Sequence, residues 1–205
     1  MKITGDYLFD AGQQDVWNAL LDPMVLAAAM PGCEKLELVD GQYVGELRIK
    51  VGPVQGNFAG KVTLQDKVEP KSYTMIVDGR GPPGFVKATA KVGLDPEGSG
   101  TRMRYDADAQ VGGTIASVGQ RLIDASSRAL VKQSLEGLNE NIRIRTAAKA
   151  TAVGGAVPEV KLKQADAAGM AAGVAKEVAK SLVPRPVLVV IVVAAVALIA
   201  WLVLR

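Results

Sequence analysis

The stretch that decides the fold runs from Gly84 to Gly112 and reads GFVKATAKVGLDPEGSGTRMRYDADAQVG. Apolar residues recur at every second position in both halves: Val86, Ala88, Ala90, Val92, Leu94, and then Met103, Tyr105, Ala107, Ala109, Val111. A period of two indicates strands with one buried face. The loop Asp95–Gly100 between the halves carries Pro and Gly, so the stretch predicts an antiparallel hairpin.

The same alternation continues upstream and predicts five more strands. They cover residues 2–10, 33–39, 43–51, 54–68 and 73–77, and an irregular loop at Gly79–Gly84 precedes the hairpin. Two short helices, Gln13–Leu21 and Met24–Met30, follow the first strand, and Asp10 is placed to cap the first of them. After the last strand, Thr114 can cap a long helix that extends to about Arg145.

This order of elements predicts an α+β domain over residues 1–145. A seven-stranded antiparallel sheet with one apolar face needs a cover, and the long C-terminal helix is large enough to supply it. The sheet is therefore expected to curl around that helix in a helix-grip fold. Inward-facing Ala residues near the end of the sheet leave room for an apolar cavity, unless the helix packs closely against them.

The long helix carries two apolar stripes on nearly opposite sides. Ile115, Leu122 and Ala129 form the first. The second consists of Val131, Leu135, Leu138 and Ile142. Two interpretations remain open: either the helix bends around the domain, or the second stripe is a docking face for a partner protein.

Residues 187–204 read VLVVIVVAAVALIAWLVL and contain no charged residue. A helix of this length is about 27 Å long, close to the hydrocarbon thickness of a bilayer, so the segment predicts a transmembrane anchor. A buried core helix is the alternative. Residues 146–184 are rich in Ala, Gly and Lys and predict a tether that is either flexible or, from Val160 to Val183, an amphipathic helix.

Charge is distributed unevenly along the chain. Residues 1–145 carry 17 Lys/Arg and 18 Asp/Glu, whereas residues 146–205 carry seven and three. The domain therefore lacks the cationic face that nucleic acid requires, and the basic tail suits anionic lipid. Residues 1–10 contain no signal-peptide core, and Lys176, Lys180 and Arg185 precede the apolar segment, so we expect a single-pass anchor in the inner (cytoplasmic) membrane with the domain in the cytoplasm.

The residue types favour binding over catalysis. The chain contains no His and a single Cys, Cys33, which predicts neither a metal site nor a nucleophile–base pair. We therefore expect no enzymatic activity and no covalently bound cofactor. The candidate cavity-lining residues are Leu20, Met24, Leu26, Met30, Leu47, Ile49, Phe58, Met75, Val77, Met103, Tyr105, Leu122 and Ala125.

Three stretches resemble a known family. They are Val16–Pro23 (VWNALLDP), Met30–Glu34 (MPGCE) and Val51–Gly60 (VGPVQGNFAG). Within the START-like, polyketide-cyclase-type superfamily, residues 1–145 resemble the family of the carbon monoxide dehydrogenase G-subunit. The resemblance implies an accessory protein that holds a molybdenum hydroxylase of the carbon monoxide dehydrogenase type at the cytoplasmic membrane.

Three hypotheses for function follow. In the first, the chain is only a membrane adaptor for that enzyme. In the second, the cavity also takes an isoprenoid quinone or lipid from the bilayer, because electrons from a cytoplasmic oxidation must reach a carrier in the apolar phase. The alternative is a protein unrelated to that enzyme, either a carrier of lipids or other apolar molecules or a cyclase-like enzyme that uses Tyr105 as its polar group.

Overall fold

The computed structural model describes residues 1–51, 54–151 and 162–164. The predicted anchor at residues 187–204 and most of the predicted tether therefore lie outside the described residues. Among the helices in the described ranges, none is both long enough and apolar enough to span a bilayer.

The described chain forms seven strands, three α-helices and one 3-10 turn. In chain order they are β1 (Lys2–Phe9), α1 (Gln13–Leu21), α2 (Pro23–Ala29), β2 (Cys33–Val39), β3 (Gln42–Val51), β4 (Val54–Val68), β5 (Ser72–Gly81), β6 (Gly84–Glu97), β7 (Gly100–Gly112), the 3-10 turn (Thr114–Val118) and α3 (Gln120–Thr151). The predicted α+β class, the seven antiparallel strands and the long closing helix are confirmed.

All seven strands lie in one antiparallel sheet with the order β1-β7-β6-β5-β4-β3-β2. From β2 to β7 each strand pairs with the next along the chain, as hairpin succession predicts. The exception is β1, which pairs with β7 in the register Lys2 to Asp108. The two short helices carry the chain from one edge of the sheet to the other, which leaves β1 and β2 as the edges.

The predicted loop at Gly79–Gly84 is wrong in length. Gly79 and Arg80 pair with Val86 and Phe85, so the strands continue and only Pro82 and Pro83 make the turn. The chain can turn this tightly because Gly84 has a φ of +137°, and a Cβ there would lie 1.9 Å from the carbonyl oxygen of Gly112. The hairpin loop predicted at Asp95–Gly100 likewise shrinks to Gly98 and Ser99.

Both predicted N-caps are also wrong. Gly12 is the N-cap of α1, while Asp10 pairs with the Asn139 side chain of α3 through two hydrogen bonds of 3.0 Å. The residue at the second cap, Thr114, begins a separate 3-10 turn and donates from its hydroxyl to the Pro83 carbonyl at 3.0 Å. The α-helix itself begins at Gln120 and ends at Thr151, six residues beyond the predicted end.

The main core fills the space between one end of the sheet, α1, α2 and the second half of α3. Leu138 and Ile142 are each 2 % exposed, Leu135 is buried, and Val131 packs against them. These four residues were the predicted docking candidates, and that interpretation is wrong. Their apolar face is already buried within the domain, so it is not available to a partner.

One junction fixes α3 against the short helices. An oxygen of Asp22, Oδ1, accepts hydrogen bonds from the backbone N–H groups of Met24 (2.9 Å) and Val25 (3.3 Å) and so caps α2. The other oxygen accepts a bond from Arg145 on α3 at 2.8 Å. One carboxylate therefore serves as a helix cap and as an ion-pair partner across the junction.

The outer face of the sheet carries charged side chains in cross-strand contacts. Arg102 on β7 bonds to Asp6 on β1 and to Glu97 on β6, each at 2.6 Å, and Arg104 pairs with Asp95. Charged residues alternate with the inward-facing apolar residues along β7 and therefore share this face. These pairs lie in solvent, so their contribution to stability is small.

Replacing Asp22 separates its two roles. We expect Asp22→Ala to lower the free energy of unfolding by about 1–2 kcal/mol, because the cap of α2 and the ion pair are both lost. Asp22→Asn keeps an oxygen acceptor at the cap and should cost less than about 1 kcal/mol. Urea unfolding of both variants measures the difference, and equal losses would contradict the capping role.

The buried side chain of Tyr73 predicts that the stability of the fold decreases at alkaline pH. Burial, with a smaller contribution from Tyr43, holds the pKa of Tyr73 well above its ordinary value of 10.0, and the ring packs edge-on against Trp17 at a centroid distance of 5.7 Å. The unfolded state then releases a proton near pH 10 that the folded state keeps, so stability falls as the pH rises above about 10.

Tyr73→Phe tests this dependence. The variant keeps the ring but has no proton to release, so its free energy of unfolding should fall less steeply above pH 10. The slopes of the wild-type protein and the variant should differ by about 1.4 kcal/mol per pH unit. Urea unfolding at several pH values between 8 and 11.5 measures both slopes. Tyr7, Tyr43 and Tyr105 also have pKa values raised by burial, so a residual slope is expected. Identical slopes would refute the assignment to Tyr73.

Candidate functional site

The inner face of the sheet changes character along its strands. On β5 and β6, the residues nearest α1 and α2 are closed off from solvent, with Tyr73 at 6 % and Val92 at 4 % exposure. Farther along the same strands and on the same face, Val77 and Val86 are half-buried. The helices therefore close one end of the inner face and leave apolar side chains accessible at the other.

The accessible residues lie side by side because the strand registers bring them together. Val77 lies between Val62 on β4 and Ala88 on β6, and Val86 pairs with Val111 on β7. We call this region the apolar cleft and define it by its half-buried, inward-facing members: Leu47, Ile49, Val62, Val77, Val86, Ala88, Ala107 and Val111. Apolar side chains that face inward and still contact solvent border an opening, since a packed core would exclude water from them.

The far end of the cleft is bounded by two turns that are bonded to each other. The 3-10 turn after β7 is fixed to the β5–β6 turn because the Pro83 carbonyl accepts hydrogen bonds from the Thr114 hydroxyl and the Ile115 N–H. These hydrogen bonds hold the segment that precedes α3 beside the turn between β5 and β6. Pro82, Thr114, Ala116 and Ser117 in these turns are exposed, and no residue of either turn belongs to the main core.

The predicted lining residues divide into three groups. Leu47, Ile49 and Val77 belong to the cleft, and Phe58 is buried directly opposite Leu47. In or against the main core lie Leu20, Met75, Met103 and Tyr105. The helical candidates are less uniform: Leu26, Met30 and Leu122 are half-buried, Ala125 is buried, and Met24 is 69 % exposed.

Several cleft residues were missing from the predicted lining set. Val62, Val86, Ala88, Ala107 and Val111 all face inward and are half-buried. Period-two alternation placed these residues on the inner face. Which end of each strand the helices leave uncovered depends on how α1 and α2 pack, and the sequence pattern carries no signal for that.

Tyr105 is the polar side chain at the border between the core and the cleft. It pairs with Gly5 on β1, and a Cβ at Gly5 would lie 2.3 Å from the Tyr105 hydroxyl oxygen. The missing side chain of Gly5 thus makes room for the phenol. Burial raises the pKa of Tyr105 although Arg128 on α3 acts in the opposite direction, so the phenol is neutral at physiological pH.

The site offers the chemistry of binding. Its surface is aliphatic, and the neutral phenol of Tyr105 can donate or accept one hydrogen bond at its border. Burial raises the pKa of the Cys33 thiol, which disfavours the reactive thiolate. The described parts of the chain hold no group of three His, Cys, Asp or Glu residues that could ligate a metal ion.

Solved structures share this fold. A conserved protein from Geobacillus kaustophilus is 29 % identical, with a TM-score of 0.68 over 70 % of this chain and 95 % of its own. A START superfamily protein from Mycobacterium smegmatis has a TM-score of 0.53 at 13 % identity, covering 68 % of this chain and 97 % of its own. The Zhui aromatase/cyclase from Streptomyces sp. R1128 has a TM-score of 0.55 at 14 % identity, covering 76 % and 99 %.

At these low identities, the last two similarities establish the START-like fold alone. No curated protein matches this chain. Residues 5–143 match the family of the carbon monoxide dehydrogenase G-subunit, CoxG, and this match includes every element from β1 to most of α3. Because it covers more than half of the chain, the protein belongs to the CoxG family.

Proposed function

We propose that this protein holds a molybdenum hydroxylase of the carbon monoxide dehydrogenase type at the cytoplasmic membrane and binds an isoprenoid quinone or lipid in its apolar cleft. The family description supports an accessory role beside that enzyme. The observation that carries the binding role is the row of half-buried apolar side chains formed by Val62, Val77 and Ala88 across β4, β5 and β6.

The chemistry of the cleft selects the class of ligand. Aliphatic side chains stabilise a bound isoprenoid or acyl chain because binding removes apolar surface from water. This burial contributes about 25 cal/mol of favourable free energy per Å². The Tyr105 hydroxyl at the border of the cleft suits a small polar end such as a quinone carbonyl. A highly charged headgroup would find no matching set of charges among the cleft residues, because all eight are aliphatic.

A quinone also fits the electron flow of such an enzyme. Electrons released by an oxidation in the cytoplasm must reach a carrier that stays in the apolar phase of the membrane. A protein that shields the isoprenoid chain can bring the redox-active ring out of the bilayer toward the enzyme. The protein itself needs no redox centre for this role, and catalysis stays with the partner.

The anchoring role is supported by sequence. Residues 187–204 are apolar throughout and long enough to cross the hydrocarbon layer, and three cations precede them at Lys176, Lys180 and Arg185. In this arrangement the domain faces the cytoplasm, on the same side as a soluble oxidoreductase.

Filling the cleft should abolish ligand binding. Ala88 faces into the cleft between Val77 and Ala109, and Thr89 beside it faces the outer surface. We expect Ala88→Phe to lower the amount of copurified isoprenoid or lipid at least about tenfold, because the ring occupies the volume that the chain of the ligand needs. Native mass spectrometry and lipid extraction of protein purified in mild detergent measure the bound molecule.

Thr89→Phe is the matched control, since it adds the same ring on the outer face. It should keep the ligand of the wild-type protein. A wild-type protein that carries no apolar molecule, or two variants that lose it equally, would refute binding in the cleft. A bound phospholipid in place of a quinone would favour a lipid carrier.

Removing Val187–Arg205 tests anchoring separately. We expect the partner enzyme to shift from the membrane fraction to the soluble fraction, because the deletion removes the apolar segment that holds the domain there. Replacing residues 187–204 with eighteen leucines should restore membrane association, because the length and hydrophobicity of a segment determine whether it inserts into a bilayer. Retention of the enzyme at the membrane after the deletion would contradict the proposal.

A further inference from the structure

A buried asparagine on α3 has its partner far along the chain. Asn141 is fully buried, as is the polar side chain of Thr101. Asparagine in the middle of a helix is unfavourable, and a buried amide costs free energy unless both its ends are hydrogen-bonded. A specific partner must therefore offset the cost of Asn141.

That partner is the main chain of Lys163. Its backbone N–H donates to the Asn141 Oδ1 at 2.9 Å, and the Asn141 Nδ2 donates to its carbonyl oxygen at 3.3 Å. One amide thus satisfies both backbone groups of a single residue. A neighbouring strand does the same in an antiparallel ladder, where paired residues exchange two hydrogen bonds.

Apolar contact completes the attachment. Leu162 is half-buried and packs against the main core, whereas Lys163 and Gln164 are exposed. Leu162–Gln164 has no helical or strand structure, which contradicts the predicted amphipathic helix at these three residues. The chain thus leaves α3 at Thr151 and returns to bind it again near Asn141.

We propose that Asn141 and the adjoining core form a binding site for main chain, occupied in cis by Leu162–Gln164. Occupation sets how much chain separates the domain from Val187. It leaves residues 165–186, twenty-two residues, whereas release would leave residues 152–186, thirty-five residues. At full extension these segments reach about 75 Å and about 120 Å.

The consequence for reach rests on the proposed anchoring, but the binding site itself does not. With the segment bound, the domain stays near the bilayer, where an apolar ligand can enter the cleft. With the segment released, the domain reaches farther toward a bulky enzyme. The site therefore acts as a latch on the distance between the membrane and the domain.

Protease sensitivity tests the latch in the full chain in detergent micelles. Lys163→Pro removes the backbone N–H that donates to the Asn141 Oδ1, whereas Lys163→Ala changes only an exposed side chain. Both variants keep the trypsin-sensitive bond after Lys161. We expect cleavage there to be at least roughly tenfold faster in Lys163→Pro than in Lys163→Ala, the matched control, because both lack the second trypsin site that the wild-type protein has after Lys163.

Asn141→Leu is the complementary variant and should accelerate cleavage after Lys161 by a similar factor. If this change in the core impairs folding, Lys163→Pro still decides, because it lies outside the helices and strands. Equal cleavage of Lys163→Pro and Lys163→Ala would overturn the proposal.

Energy transfer tests the reach. In vesicles that contain acceptor-labelled lipid, with a donor at Ser99→Cys in a Cys33→Ser background, transfer should be weaker for Lys163→Pro than for Lys163→Ala. Equal transfer would overturn the effect on distance. Failure of the full chain to insert into vesicles would refute anchoring while the protease result still decides the latch.

Discussion

The fold depends on the burial of the second half of α3 against α1, α2 and one end of the sheet. Leu138 and Ile142 occupy the centre of that contact, and the Asp22–Arg145 pair closes it at the surface. Because α1, α2 and the second half of α3 gather at the same end, apolar side chains stay accessible at the other end of the inner face. The apolar cleft therefore follows from where the helices pack. The main core at one end of the strands stabilises the same strands that line the cleft at the other end.

Most of the architecture follows from periodicity. Alternation from Lys2 to Gly112 predicted all seven strands, and tight turns such as Asp40-Gly41 connect them. The errors arise at positions with two competing roles. Gly79–Gly84 has the composition of a loop, yet strand pairing extends to Gly81 because each added residue completes a ladder. Asp10 and Thr114 can cap helices, but both are drawn into tertiary hydrogen bonds.

The site was harder to predict than the fold. A strand pattern tells which face a residue occupies, and Leu47, Ile49 and Val77 were identified on that basis. It does not tell which end of the strand the helices cover, so Met103 was assigned to the lining although it lies in the core. The stripe at Val131–Ile142 was ambiguous for the same reason. Its burial is set by α2, whose approach to α3 at Gly137 is a tertiary contact.

The alanines of the cleft have a consequence for how its preferences can change. Ala88 and Ala107 lie on strands whose backbones are fixed by pairing on both sides, so larger side chains at these positions would take volume from the cleft while the sheet stays in place. Because the backbone of the sheet stays fixed, each methyl group added at these positions reduces the volume of the cleft by a small step. In the proposed binding role, a single substitution at either alanine therefore changes which apolar ligand fits, while the scaffold beneath it stays the same.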